Sequence, residues 1–438
     1  MGLLLALFAV SLQARETAFV RVNLVPMDRE RVLRDQTIIV RDGYIAQIGN
    51  DIKVPADAQV IDGEGRLWVS PGLADMHVHS DTRDDLAVYL ANGVTTIVNM
   101  GDARMAFVGR LSSAAARGDI AGPRVFSAFV IDGSPAFGHF TVTTPKEART
   151  AVMLAKTNGY RFIKVYNNLE ADVFAAAADE AASQGLALVG HGITKLGLEA
   201  QIEQGQAAVA HAEEFFYTFF SAPGSEQTDA PPPVARIADV IALLRRHGTA
   251  VGADLVTYGG IMRVIGHREV VAACLAAANA SLVSPADRLA WRRSGYVAKT
   301  ADLRARYAFL QQMLKAMADA DVPLLAGTDA PTIPCVAAGF SLHENLAELE
   351  QAGLSRFQAL STATRIPGAF LATTIGATRN GVIESGARAD LIVSAASPLD
   401  DLGTLRDPVG VMVEGRWHDR TALAAMLDNV RQAYSLAE

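Results

Sequence analysis

Cysteine is nearly absent, with only Cys274 and Cys335 in 438 residues. Neither sits in a CxxC pair or at zinc-finger spacing, which excludes a thiolate metal cage and a disulfide framework. Both are expected to pack in the core rather than to ligate or cross-link. Charge is sparse too: Asp, Glu, Lys and Arg make up 20% of the chain, the formal net charge is -8, and no run of Lys or Arg occurs. That leaves no electrostatic footprint for nucleic acid or an anionic membrane, so neither is expected as a partner. The apolar run Leu3 to Leu12 is too short to span a bilayer. It has the length of an export-signal core and ends at Gln13-Ala14, although the usual basic segment ahead of it is missing. Residues 1–14 are read as a cleaved signal in preference to a disordered lead-in, placing the mature protein in the periplasm or outside the cell.

Half of the residues are hydrophobic, enough for a large core. The length exceeds what one ordinary core supports, unless the fold is a barrel that runs long as a single unit. From Ala18 the segments AFVRVNLVPM, QTIIVRDGYIAQIG and AQVIDGEGRLWV alternate apolar and polar residues, with turn signals at Asp42-Gly43 and Asp62-Gly63. These predict short antiparallel strands. Beyond Pro71 eight apolar β-type runs alternate with Ala-rich helical stretches: GLADMHVH, TTIVNM, RVFSAFV, RFIKVY, LALVGHG, AAVAHA, TAVGADL and VPLLAGTD. Eight βα repeats over about three hundred residues predict a closed (β/α)8 barrel of the TIM type. Two irregular stretches, Ser221 to Val234 and the helical insertion Tyr258 to Thr300, would be loops on its C-terminal face. After Leu371, GVIESGARADLIVS and PVGVMVEGRWHD return to short-strand patterning. The expected division is therefore an α/β chain with a β-sandwich built from residues 15–70 and 373–438, the latter ending in a helix, around a barrel of 71–372.

Chemistry gathers at the ends of the predicted strands. His77 and His79 are two apart, so both side chains face the barrel mouth and can share one cation. Such a pair alone is weak, since structural or surface histidines are about as common. His191 closes the fifth run, His211 the sixth and Asp329 the eighth, where barrel enzymes keep their reactive groups. Lys164 lies inside the apolar run RFIKVY, where burying an ammonium is costly without a partner. Burial favours the neutral amine, which can take up carbon dioxide, and the resulting carbamate can bridge two cations about 3–4 Å apart. A salt-bridged barrel lysine is the plainer alternative, but the set of six favours ligands.

The blocks VSPGLADMHVHSD, FIKVY, VGHG, AHAEE, LLAGTDAP, LHENLAELEQAGLS and ESGARADLIVS resemble the amidohydrolase superfamily, in its imidazolonepropionase-related, prolidase-like branch. The resemblance spans nearly the whole chain. It implies a distorted (β/α)8 barrel with a β-sandwich made from both termini, and two metals, usually zinc. One would be held by His77, His79 and Asp329 and the other by His191 and His211, with carboxylated Lys164 bridging. Mononuclear deaminases of the branch carry Glu three residues after the fifth-strand histidine, where this chain has Thr194. The pattern is thus similar to the binuclear peptidases and amide hydrolases, including Xaa-Pro dipeptidases and bacterial enzymes that hydrolyse ochratoxin A. A hydroxide bridging the metals would attack the carbonyl, and Asp329 would carry the proton from water to the leaving nitrogen. Tyr166 and His139, the latter similar to a family GGH position, are candidates to stabilise the oxyanion.

The expected substrate is a small amide: an N-acyl amino acid, a dipeptide or an aromatic amide. The cluster Phe215, Phe216, Tyr217, Phe219 and Phe220 offers apolar lining, although helix packing accounts for most of it. Arg83 is a candidate for a substrate carboxylate and more simply a solvated arginine. His343 is read as capping or packing, and His247, His267 and His418 as structural or surface. The same site would also serve a cyclic amide, lactone or phosphotriester, and a metal-free scaffold barrel would need missing ligands. Assembly as a homo-oligomer is expected.

Overall fold

The structure, a computed structural model, describes residues 16–222, 225 and 230–435. The predicted export signal lies outside the described residues. Among those described, no helix is long and apolar enough to cross a membrane.

All eight runs form parallel strands of one barrel: β1 (Leu73–Val78), β2 (Val94–Asn99), β3 (Arg124–Asp132), β4 (Phe162–Val165), β5 (Ala187–Gly190), β6 (Ala208–Val209), β7 (Ala250–Gly252) and β8 (Leu324–Leu325). Each pairs with its sequence neighbour. The ring closes where the Met76 amide donates to the Ala326 carbonyl and the His79 amide to Ala330, both at 2.8 Å. Helices cover the outside through Ile97, Ile131, Ile163, Leu188 and Val251, so these strands read as nearly continuous apolar runs. The inside is filled at the bottom by Met76, Val98, Phe162, Val189 and Leu325, and is plugged by Phe370 and Leu371 of the helix Arg365–Ile375. Phe162 stacks on Phe370 at 6.2 Å. Two residues on, Lys164 faces the same lumen one layer higher, because side chains alternate along a strand.

The terminal segments build a separate sheet of the predicted short strands, but it is mixed rather than wholly antiparallel, because Thr17–Leu24 pairs in parallel with Gln59–Asp62 and Trp68–Pro71. Its order runs Arg416–Asp419, Gly410–Val413, Leu391–Ser394, Trp68–Pro71, Thr17–Leu24, Leu33–Arg41 and Tyr44–Gly49, with Gln59–Asp62 also paired to Thr17–Leu24. The seam between the two ends of the chain is the antiparallel pairing of Leu391–Ser394 with Trp68–Pro71. Phe19, Leu24, Ile38, Val69, Leu391 and Met412 form its core.

One expectation is corrected. Cys274 and Cys335 do not pack as free thiols; they form a disulfide across 61 residues. It ties the helix Arg268–Ala276, part of the insertion after β7, to the segment following β8. Nothing in the two isolated cysteines signals this pairing, because it depends on how the insertion folds back.

Candidate metal centre

His77 is buried at the end of β1, with Nε2 at 3.2 Å from Lys164 Nζ and 3.3 Å from Asp329 Oδ1. His79 Nε2 lies 3.1 Å from the same carboxylate oxygen. The His77 ring is 4.3 Å from that of His211, which is 5.1 Å from His191. The six predicted side chains therefore converge on one point inside the mouth, brought there from five different strand ends. Ligand atoms of His77, His211 and Asp329 all lie within 4.8 Å of one another.

Every one of the four imidazoles has its Nδ1 engaged from outside. His77 Nδ1 faces the Ala210 carbonyl at 3.4 Å, and His79 Nδ1 faces that of Gly101 at 3.1 Å. His191 Nδ1 donates to Glu214 Oε1 at 2.8 Å, and His211 Nδ1 pairs with Asp254. With Nδ1 held from outside, each ring is oriented by an outer partner, as metal-binding histidines are. Asp329 itself takes a left-handed backbone (φ 59°), held by its amide bonding to the His77 carbonyl at 2.8 Å. Such strain in a non-glycine residue persists only where the surroundings over-determine it.

Electrostatics favour a cation here. Burial lowers the Lys164 amine below its ordinary value, despite Asp329 nearby. Burial raises Asp329, but the His79 hydrogen bond and the charges around it more than offset that, leaving it at about 2. Burial also pulls His211 down, yet Asp254 and Glu213 overcome it and the imidazole is raised to about 10. His191 moves the other way, to about 4, because burial outweighs Glu214. The carboxylates thus draw positive charge to His211, and a divalent ion answers the same field as a proton. An all-nitrogen-and-oxygen donor set with its outer nitrogens already bound fits metal coordination.

Tyr166, two residues past Lys164, lies with its ring 4.2 Å from His191 and 4.5 Å from His139. His139 Nδ1 is 3.2 Å from Asp102 Oδ1. Of the two candidates for the oxyanion, Tyr166 therefore borders the centre and His139 stands one ring contact further out. Arg83 is exposed, and His343 is buried on the helix Phe340–Gln351 with Nε2 bonded to the Asn92 carbonyl at 2.9 Å. Phe215 and Phe216 are buried in the core against the barrel's outer helices, so the aromatic run after His211 packs rather than lining the mouth. A cavity of about 760 Å³ opens at the other end of the barrel, bordered by Thr249, Pro323, Leu324, Arg365 and Phe370, and touches none of the six.

Sequence reasoning missed Glu214 and Asp254. Glu214 follows His211 by three residues but serves His191, and its second oxygen accepts the Gly192 amide at 3.0 Å. The acidic pair in AHAEE was the available signal; which histidine it serves depends on strand register.

Among solved structures, bottromycin amidohydrolase is similar over 96% of this chain and 91% of its own, at 24% identity and a TM-score of 0.73. The ochratoxinase of A. niger is similar over 92% and 96%, at 18% identity and a TM-score of 0.65. Both likenesses establish the barrel-plus-sheet fold. The enamidase of Eubacterium barkeri is 40% identical over 95 residues, 19% of this chain, and the match spans only 24% of that relative. The Amidohydrolase family profile matches residues 68–418, from the last strand before the barrel to the closing strand of the terminal sheet. The chain belongs to the amidohydrolase family.

Proposed function

We propose that this protein is a metal-dependent hydrolase of a small amide, cleaving an N-acyl amino acid or a dipeptide-like substrate, including Xaa-Pro and ochratoxin-type amides. The observation that carries the reading is the convergence of His77, His79, Lys164, His191, His211 and Asp329, with Lys164 Nζ only 3.2 Å from His77 Nε2. His77, His79 and Asp329 would hold one divalent ion and His191 and His211 another, with Lys164 as its carbamate between them; zinc suits these donors. When bound, two such ions acidify water and polarise a carbonyl.

The chain's own groups supply the rest. Asp329, kept ionised at neutral pH, accepts the proton of the attacking water and returns it to the leaving nitrogen, which amide cleavage requires. Tyr166, held protonated because burial pushes its phenol up, donates to the carbonyl oxygen as negative charge develops, with His139 beside it. The mouth excludes bulk water around buried His77 and Lys164, which strengthens each of these interactions. The disulfide supports an oxidising compartment and hence export.

The test is an assay of zinc-loaded protein in bicarbonate against N-acyl amino acids, Xaa-Pro dipeptides and ochratoxin A. Release of free amino acid that stops on chelation is expected. Failure to cleave any of these overturns the substrate class, and ring opening without amino-acid release moves the site to cyclic amides or lactones.

A further inference from the structure

Phe137 is a large apolar side chain left 56% exposed at the barrel mouth. Its ring meets Tyr166 edge-on at 4.9 Å and lies roughly parallel to His139 at 6.4 Å. Tyr166 in turn contacts His191, so the exposed phenyl is two ring contacts from the metal centre.

The turn that carries Phe137 is built to hold it still. Ser134 accepts the Ala136 amide at 3.2 Å, Pro135 presets the first helical position, and the Gly138 amide closes the turn on the Pro135 carbonyl at 3.0 Å. Gly138 takes a left-handed conformation (φ 79°) that reverses the chain toward His139. At the base, buried Asp132 accepts the amides of Gly133 and Asn168 at 2.9 and 2.8 Å, locking this turn to the segment after Tyr166. A phenyl exposed on a rigid rim beside a reactive centre is how binding sites present an anchor for an apolar partner.

We propose that Phe137 is a specificity-determining residue, the wall of an acyl-side subsite that takes a planar aromatic group. The rings it meets are Tyr166 and His139, the groups proposed above to receive the carbonyl oxygen, so Phe137 stands beside the scissile carbonyl, and the assignment is to the acyl substituent that carbonyl carries. A flat acyl substituent continuing outward from that carbonyl lies against the phenyl face, in the offset or edge geometry aromatic pairs prefer. This deepens the amide-hydrolase reading above and rests on it.

Matched substrates with one leaving group, N-benzoyl-L-alanine and N-acetyl-L-alanine, test it. Phe137→Ala is expected to lower kcat/KM about tenfold for the benzoyl amide and less than about twofold for the acetyl one. Phe137→Leu, which keeps bulk and the turn but has no flat face, should fall between. Benzoate binding by calorimetry reads the subsite without turnover: weaker in both variants, with acetate binding unchanged. Equal losses on both amides, or unaltered benzoate binding in Phe137→Ala and Phe137→Leu, overturn the assignment. If neither amide is cleaved by the unaltered protein, the amide-hydrolase reading fails separately, and the benzoate comparison alone decides Phe137.

Discussion

Glu214 grips His191 twice, accepting from its Nδ1 at 2.8 Å and, through the other oxygen, from the amide of the next residue, Gly192, at 3.0 Å. Ring and backbone are thus aimed by one buried carboxylate from the neighbouring strand end. Glu214→Gln keeps the shape but removes the charge that raises ligand basicity. Metal affinity, measured by chelator competition, is expected to fall about 10–100-fold with the circular dichroism spectrum unchanged. Unaltered affinity would show that Glu214 only packs.

Among the described residues Lys164 has no carboxylate within salt-bridge distance to hold an ammonium, and its Nζ lies 3.2 Å from His77 Nε2. Lys164→Ala should therefore lower metal content and activity by more than about a hundredfold, beyond what losing a supporting outer group costs. Acetate or propionate, which can enter the space as a bridging carboxylate, should restore part of both. The intact protein in bicarbonate should carry the added mass of one carbon dioxide. Full metal content in Lys164→Ala would contradict the bridging role.

How much of this was legible beforehand follows from which interactions are local. Parallel strands buried on both faces write themselves as apolar runs, so all eight were readable, and so was the set of six candidate ligands at their ends: each alone has a bland explanation, and the combination has few. The orienting carboxylates were not readable, since pairing Glu214 with His191 and Asp254 with His211 requires knowing how neighbouring strand ends abut. The aromatic run after His211 packs, as expected for most of its side chains, and only the fold could say which. Five rings after His211 look like a pocket in one dimension, but the helix Glu214–Thr218 turns Phe215 and Phe216 into the core. Phe137, one of two phenylalanines in SPAFGHF and unremarkable as a sequence, is left exposed by the fold with its ring against Tyr166.

Gly133 joins β3 to the turn that bears Phe137, and a Cβ there would stand 2.1 Å from the Asn168 carbonyl oxygen. Backbone on both sides is held by Asp132, so neither can yield cheaply. Gly133→Ala is expected to destabilise by about 1–3 kcal/mol and to raise KM, because the displaced segment carries Tyr166. Thermal denaturation and steady-state kinetics check both; an unchanged melting temperature would mean the junction is softer than its contacts indicate.

Asp85 gives the stability a pH signature. Its carboxyl is buried, and burial, with Asp287 nearby, pushes it up to about 7. The unfolded value is about 4, so the native state holds an extra proton between those two pH values. Stability is therefore lost as pH rises through that window and is flat above it. Asp85→Asn, uncharged throughout, should melt higher than the unaltered protein at pH 8 and lose that advantage at pH 4. A melting-temperature difference that stays constant or reverses sign across the range would refute the burial argument.

The Cys274–Cys335 bridge pins the insertion to the chain six residues beyond Asp329. Around it Val264, Val271, Val283 and Trp291 form a small core of their own, and Trp291 Nε1 donates to the Pro331 carbonyl at 2.7 Å. So small a cluster gains much from a cross-link spanning 61 residues, about 4 kcal/mol by chain entropy alone. Because the barrel has its own extensive core, the benefit should be local. Cys274→Ser, or reduction, is expected to speed amide exchange in the helices Leu255–Val264, Arg268–Ala276 and Pro285–Arg292 while leaving barrel strands protected. Uniform loss of protection would mean instead that the insertion and barrel unfold as one unit, and that the bridge stabilises the whole molecule.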